Sequence, residues 1–499
     1  MTVTFTTAAI DAHEALHHGE AARGNTVAAA EAGQALTAAL SGVAEYDKIL
    51  VRAAAGAGKT YALRHMVRQA LAHPRCSRVG VTAFANKQIF PLAGALGREL
   101  GAERVCLFVA RDRALEVPAD VRDSVSIATT TGDIPNTCDV VVGTSHKLGA
   151  LGELKRLIEN VGPAGNGDLP FDVLFVDEAW QLPGHRYATV QGLAPISVGV
   201  GDVGQLPPLE PGQQNPWRGD AGYNPYRAWP TSYPASATTR VVDLPAVWRP
   251  TAAQLPLWRA FYTDWDQLHC VAGPGDRALD LPPLTGVAGS VWAAVAGGAP
   301  TLLEVGGLPD PEAPDIDLPL LGVLEELLDP LLKNGFRTYA RSYDGQGRPE
   351  GEVVVDSANP QGDPLIVILA TRNQAVDDAN DLVERLTERY DLPDGVLIAS
   401  TVDSWQGQTN AITVAIHPLS GAEELDEFNS AFGRLAVTCT RATHGLLMIA
   451  RHGLDELLDT TPARPGTPLG EPGPRSLPRQ THQRILAAFT RGALTVAAV

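Results

Sequence analysis

From Lys48 onward, short β-branched runs alternate with segments of helical period. The runs at 48–52, 79–84, 139–144, 172–177 and 197–202 predict strands, and the amphipathic stretches 60–72 and 88–100 predict helices between them. Strands separated by helical segments build parallel sheets, because a parallel pair needs a long crossover connection. A second series at 365–370, 396–401, 411–416, 435–440 and 445–450 predicts a second sheet of the same kind. Two α/β units in tandem fit the length of 499 residues.

Between the series, 206–240 is rich in Pro, Gly and aromatics, including Trp217, Tyr223, Tyr226, Trp229 and Tyr233. Its rings offer stacking faces to bases or, equally, pack as a loop over the first sheet. The stretch 271–363 is broken by Pro and Gly and shows little period apart from a helix near 319–333. A breaker-rich linker at 462–474 precedes a predicted terminal helix near 481–491.

Composition narrows the class. With 39 Lys+Arg against 57 Asp+Glu the formal charge is −18, which argues against coating nucleic acid by a basic surface but leaves room for a local groove. The five cysteines form no C-x-x-C pair, so neither a zinc ribbon nor a disulfide framework is expected. The longest charge-free stretch, Leu281 to Leu303, contains prolines and glycines and reads as no membrane helix. With no apolar signal core at the N-terminus, a cytoplasmic protein is expected.

The first chemistry lies at 53–60, A-A-A-G-A-G-K-T, after an apolar run and before a helical segment. That is the setting of a phosphate-binding loop. Backbone N–H groups of Gly56, Ala57 and Gly58 would wrap a β-phosphate, Lys59 would neutralise β/γ oxygens, and the Thr60 hydroxyl would face Mg²⁺. Ala53 stands where the pattern has its first glycine. The partner signal is F-D-V-L-F-V-D-E-A-W-Q at 171–181, a strand ending in two carboxylates: Asp177 for Mg²⁺ and Glu178 to orient an attacking water.

With G-D-V-G-Q-L-P-P at 201–208 added, the chain resembles superfamily 1 helicases, in the branch typified by the nonsense-mediated-decay RNA helicase, with motifs of the form D-E-A-x-Q and G-D-x-x-Q-L-P-P. The resemblance extends over residues 34–443. It implies that Gln34 reads adenine and that Gln205 couples the γ-phosphate to strand grip. T-A-F-A-N at 82–86 and G-T-S at 143–145 resemble motifs that touch a single strand, which implicates Thr82, Asn86 and Thr144. L-P-A-V-W-R-P at 244–250 implies Trp248 against adenine and Arg249 near the γ-phosphate, and 256–264 matches a region where the branch keeps a phenylalanine–tyrosine pair. T-V-D-S-W-Q-G-Q-T at 401–409 and V-T-C-T-R-A-T at 437–443 resemble motifs V and VI, implying Thr401 on the strand, Gly407 at the nucleotide and Arg441 as a second arginine finger. Thr409 departs from the family's glutamate.

The resemblance implies two tandem RecA-like P-loop domains with ATP in the cleft between them. The expected divisions are an N-terminal helical segment (1–30), domain 1 (31–243), domain 2 (244–455), and a linker with a C-terminal helix (456–499). The implied activity is an ATP- and Mg²⁺-dependent helicase or translocase on single-stranded DNA or RNA, moving 5′→3′, with a protein partner supplying what accessory domains would. One rival is a nucleotide-dependent switch that clamps nucleic acid or protein without travelling, favoured by Thr409. Another is a zinc peptidase: H-E-A-L-H at 13–17 matches H-E-x-x-H, with His13 and His17 as ligands and Glu14 as base. No third ligand is evident beyond Glu20 or Glu31, and an exposed N-terminal helix is the plainer reading.

Overall fold

The computed structural model describes residues 3–8, 14–165, 167–204, 225–265, 267–313, 316–425, 429, 432–461 and 478–496. Two large, mainly parallel sheets organise the chain, as the alternation of strand and helix requires.

The first sheet has eight strands, all parallel. Across it run Ser126–Ala128, Val105–Phe108, Val140–Thr144, Val79–Ala83, Val173–Val176, Ile196–Asp202, Lys48–Ala53 and Thr239–Asp243. Its central strands are buried on both faces, which is why they read as unbroken apolar runs. Lys59–Ala72 and Asn86–Leu100 are crossover helices, and the helix His18–Ser41 packs against Lys59–Ala72. That N-terminal helix runs unbroken through position 30 and ends at Gly42, whose left-handed φ of 70° returns two N–H groups to the last turn.

The second sheet has seven strands, in the order Phe5–Thr6, Thr490–Thr495, Thr301–Gly306, Ala442–Arg451, Asn410–Ile416, Ile366–Ala370 and Leu397–Thr401. All neighbours are parallel except the first pair. A three-stranded antiparallel sheet, Arg277–Asp280, Arg337–Tyr343 and Pro349–Asp356, lies alongside. The segment 244–272 packs into an apolar cluster that also holds Ile49, Val81 and Phe175 of the first unit and Val367, Leu435 and Met448 of the second. The two units thereby share a core.

Three expectations need correction. Residues 435–440 are not a strand: Phe432–Cys439 is a helix, and since Leu435 to Cys439 are buried all round, the run carries no period to separate the two. The stretch 271–363, which shows little period beyond its one helix, also supplies an interior strand of the second sheet, Thr301–Gly306. The C-terminal helix is shorter, Pro478–Leu486, and Thr490–Thr495 forms a strand whose weak alternation hid it. Gly492 lets the Phe5 ring lie against that strand, where a Cβ would come within 2.6 Å of it.

Among the described residues, no helix is long and apolar enough to cross a membrane. Removing residues 490–499 would leave Thr301–Gly306 as an unpaired edge and expose Leu303 and its neighbours. A melting curve should fall by about 5 °C or more, the loss expected when a paired strand is stripped from a sheet.

Candidate active site

The strand Lys48–Ala53 emerges between Ile196–Asp202 and Thr239–Asp243 and turns through a tight loop into the helix that starts at Lys59. Gly56 and Gly58 hold φ of 73° and 92°, which a Cβ would strain. Each carbonyl from 54 to 57 has a donor. Ala54 O accepts from Ala57 N at 3.1 Å, Ala55 O from Trp258 Nε1 at 3.0 Å, Gly56 O from Trp248 N at 2.8 Å, and Ala57 O from Asn25 Nδ2 at 2.9 Å. With the carbonyls tied, the N–H groups that open the helix at Lys59 are the ones left for an anion.

Lys59 lies against two carboxylates. Its Nζ is 3.1 Å from Glu178 Oε1, 3.2 Å from Oε2 and 3.7 Å from Asp202 Oδ2. Burial works against its charge, but Glu178 and Asp202 outweigh that and raise its pKa. Glu178 is one of three described non-glycine residues with positive φ (47°), a strained conformation that turns it from its strand toward Lys59. Gln181 Nε2 donates to it at 3.2 Å and is itself held by Gln88 at 2.8 Å. Asp177 is buried beside Glu178, and burial with that neighbouring charge pushes its carboxyl up to about 7. Thr60, the residue after Lys59 in the helix, is exposed.

Two arginines face this cluster. Arg249 lies so close to the loop that a Cβ on Gly56 would sit 2.4 Å from its own Cβ, and its Nη1 donates to Thr440 O of the second unit at 3.0 Å. Arg441 is 1% exposed and donates to Val437 O at 3.1 Å, Gln408 O at 3.4 Å and Thr440 Oγ1 at 3.0 Å. Burial, then the Arg441 charge, pushes the Arg249 guanidinium down to about 9. Burial also lowers Arg441, against the pull of Asp202 and Glu178 across the junction. Two neighbouring cations, Arg441 buried and Arg249 half-buried, are costly unless an anion joins them. The Trp248 indole lies by the loop, its Nε1 3.9 Å from where a Gly58 Cβ would be.

Other expected residues fall elsewhere. Gln34 sits nine residues along its helix from Asn25, about 13 Å at 1.5 Å per residue, in a shallow cleft with His65, Arg68 and Gln69. The structure does not bring it to the loop. Thr82 is fully buried, its backbone carbonyl accepting from Asp177 N, and Thr144 caps the helix Ser145–Leu148 by accepting from Lys147 N at 3.2 Å. Neither side chain reaches the surface. Asn86 is half-buried at a helix start next to Lys87, whose Nζ donates to Asp403 O at 3.2 Å; Thr401, half-buried, accepts from Ser404 N at 3.1 Å. Gly407 is exposed in the following turn with φ 86°. Gln205, His13, Trp217 and Tyr223 lie outside the described residues. Trp229 is buried and stacks on Tyr187 at 4.1 Å, so it packs the first sheet and offers no face to a base. The helix begins at His18, after the H-E-A-L-H segment, and His17 Nδ1 bonds the carbonyls of Cys270 and Ala272; among the described residues no group of three or more His, Cys, Asp and Glu is placed to hold a metal ion.

Sequence reasoning missed the residues that shape the loop: Asn25, Trp258, Tyr262 and Asp202. Only the G-D pair at 201–202 and the F-Y pair at 261–262 flagged their neighbourhood.

No protein-family model and no curated protein matches the chain. Among solved structures it is similar to the PRRSV helicase, with a TM-score of 0.37 and 14% identity over 87% of this chain and 56% of that one. It is similar also to Arterivirus nonstructural protein 10, a helicase, in a complex with DNA (TM-score 0.38, 15% identity, 83% of this chain and 62% of that one) and alone (0.38, 15%, 83% and 61%). The chain thus spans between 56% and 62% of the length of these structures. Such distant likeness transfers no activity to this chain.

Two outcomes follow from the geometry. Because Asp177 has its pKa raised in the folded state, its ionisation costs stability as pH climbs from about 4, its unfolded value, to about 7. Asp177→Asn should therefore raise the melting temperature at pH 8 and leave it nearly unchanged at pH 4.5; equal gains at both would contradict the buried like-charge pair. If the loop binds a nucleotide, Gln34→Ala should change its affinity by less than about twofold, since an interaction absent from the site contributes nothing to binding.

Proposed function

We propose that the chain is a nucleoside-triphosphate-driven helicase or translocase of the superfamily 1 type, working on single-stranded nucleic acid. The observation that carries this reading is the meeting, at one junction, of Lys59 and Glu178 of the first unit with Arg249 and with Arg441 of the second. A loop of tied carbonyls, a lysine, paired carboxylates and two arginines that meet at the junction of the units are what phosphoryl transfer needs.

In this account ATP is the substrate. Its phosphates replace Glu178 as the partner of Lys59, which frees Glu178 to orient water. Arg249 and Arg441 then lie against the γ-phosphate, where their mutual repulsion is offset by its charge. Trp248 offers a stacking face to the base. The donor set also fits Mg²⁺: Asp177, destabilised as a buried anion beside Glu178, and the open Thr60 hydroxyl would hold it. When bound, that ion supplies positive charge shared by the β- and γ-phosphates. Because Arg249 is tied to both units, hydrolysis relaxes the junction and changes how the units grip a strand, near Asn86, Lys87, Thr401 and Asp403. Movement 5′→3′ is part of the proposal, and unwinding only from 3′ overhangs would reverse it.

A second reading has its own support. Thr82 and Thr144 are turned inward and Thr409 replaces a family glutamate, which favours a switch that clamps its partner without travelling. It predicts hydrolysis without strand displacement.

Steady-state ATP hydrolysis, with and without single-stranded DNA or RNA, tests the motor. Lys59→Ala should abolish turnover, and Arg441→Gln should lower it by about 10³-fold, the scale of an arginine finger. Turnover unchanged in Lys59→Ala would remove the proposal.

A further inference from the structure

Tyr262 follows the helix Leu255–Phe261 and is 2% exposed. Its hydroxyl oxygen accepts from Ala55 N of the loop at 3.0 Å, and its single proton goes to Asp202 Oδ2 at 3.0 Å. The same Oδ2 is the atom 3.7 Å from Lys59 Nζ. The other oxygen, Oδ1, accepts from Gly204 N at 3.0 Å. The Tyr262 ring lies against Gly204, where a Cβ would come within 2.5 Å of it, and stands nearly perpendicular to the Trp265 ring. Ala55, which donates to the tyrosine, is itself held through its carbonyl by Trp258.

A buried carboxylate and an ammonium 3.7 Å apart have every Coulombic reason to close to about 2.8 Å, the length of a charge-assisted bond. Here they do not, although side-chain exposure is only 12% for Lys59 and 0% for Asp202. The hydroxyl already donates to the oxygen nearest Lys59, and Gly204 N–H donates to the other, so each oxygen has part of its charge satisfied before the ammonium approaches. Lys59 is consequently left on Glu178, a partner on a movable side chain, and only loosely shared with a carboxylate fixed at a strand end.

We propose that Tyr262 is a positioning residue that keeps Asp202 from capturing Lys59, so that the ammonium remains transferable to a nucleotide's phosphates. The inference rests on the nucleotide reading above and deepens it by naming what sets the site's affinity. Without the hydroxyl, Asp202 Oδ2 is a buried acceptor with no donor, a costly state that the neighbouring lysine is nearest to relieve. Lys59 is then gripped by two carboxylates, and a triphosphate must pull it from both.

The test is a double-mutant cycle on affinity for Mg²⁺–AMP-PNP, read by calorimetry, with thermal melts as a check of folding. Tyr262→Phe should weaken binding about tenfold, while in an Asp202→Asn background the same change should cost less than about twofold, because contacting residues are non-additive. If Tyr262 only braces the loop through Ala55, the losses are additive and Trp258→Phe, which cuts the other brace, matches Tyr262→Phe; either result overturns the inference. Should Tyr262→Phe not fold, Asp202→Asn decides alone: binding as tight as wild type or tighter supports it, and weaker binding overturns it. Wild-type protein that binds no AMP-PNP removes the nucleotide reading, and this inference with it, whereas wild-type binding with additive losses removes this inference only.

Discussion

The structure depends on where four carbonyls point. A chain that leaves a strand and enters a helix within five residues has donors and acceptors to satisfy at once, and here Ala57 N, Trp258, Trp248 and Asn25 take the acceptors. These donors come from the loop itself, from the helix Leu255–Phe261, from the segment before Arg249 and from the N-terminal helix. The loop is therefore an assembly of distant parts of the chain, and its anion-binding face exists only when all of them are in place. Asn25 shows how economical this is, since the one amide bonds Ala57 O and both backbone groups of Ala246.

The same assembly gathers charge that folding alone would not favour. Asp177, Asp202 and Arg441 are buried, and Glu178, Lys59 and Arg249 half-buried, at one junction. Raised Asp177 and lowered Arg249 both report ions held in the less stable form. Strain of this kind is characteristic of sites that act on charged substrates, and a triphosphate with a divalent ion would relieve it at both ends.

Much of the architecture was legible. The strand series of the first unit, the loop and the D-E strand end are set by local pattern, and they lie where the periodicity predicts. The misreadings have physical causes. Leu435 to Cys439 are buried all round, so a helix there carries no polar stripe. Thr490–Thr495 earns its place through pairing with Thr301–Gly306, which no local pattern records. At the site, short motifs located Lys59, Glu178, Arg249 and Arg441 but could not say which way a threonine turns, and Thr82 and Thr144 turn inward. Gln34 matched by spacing alone, and an uninterrupted helix carries it away from the loop. Asn25 and Tyr262 act through tertiary hydrogen bonds, for which one sequence gives no signal.

The central claim is that the second unit's side of the junction reads a terminal phosphate bound on the first unit's loop. The most direct measurement is the ratio of affinities for Mg²⁺–AMP-PNP and Mg²⁺–ADP in wild type, Arg249→Gln and Arg441→Gln. Both substitutions should erase the preference for the triphosphate while leaving ADP affinity nearly unchanged. A preference that survives in both, or a loss shared equally by the two nucleotides, would contradict it.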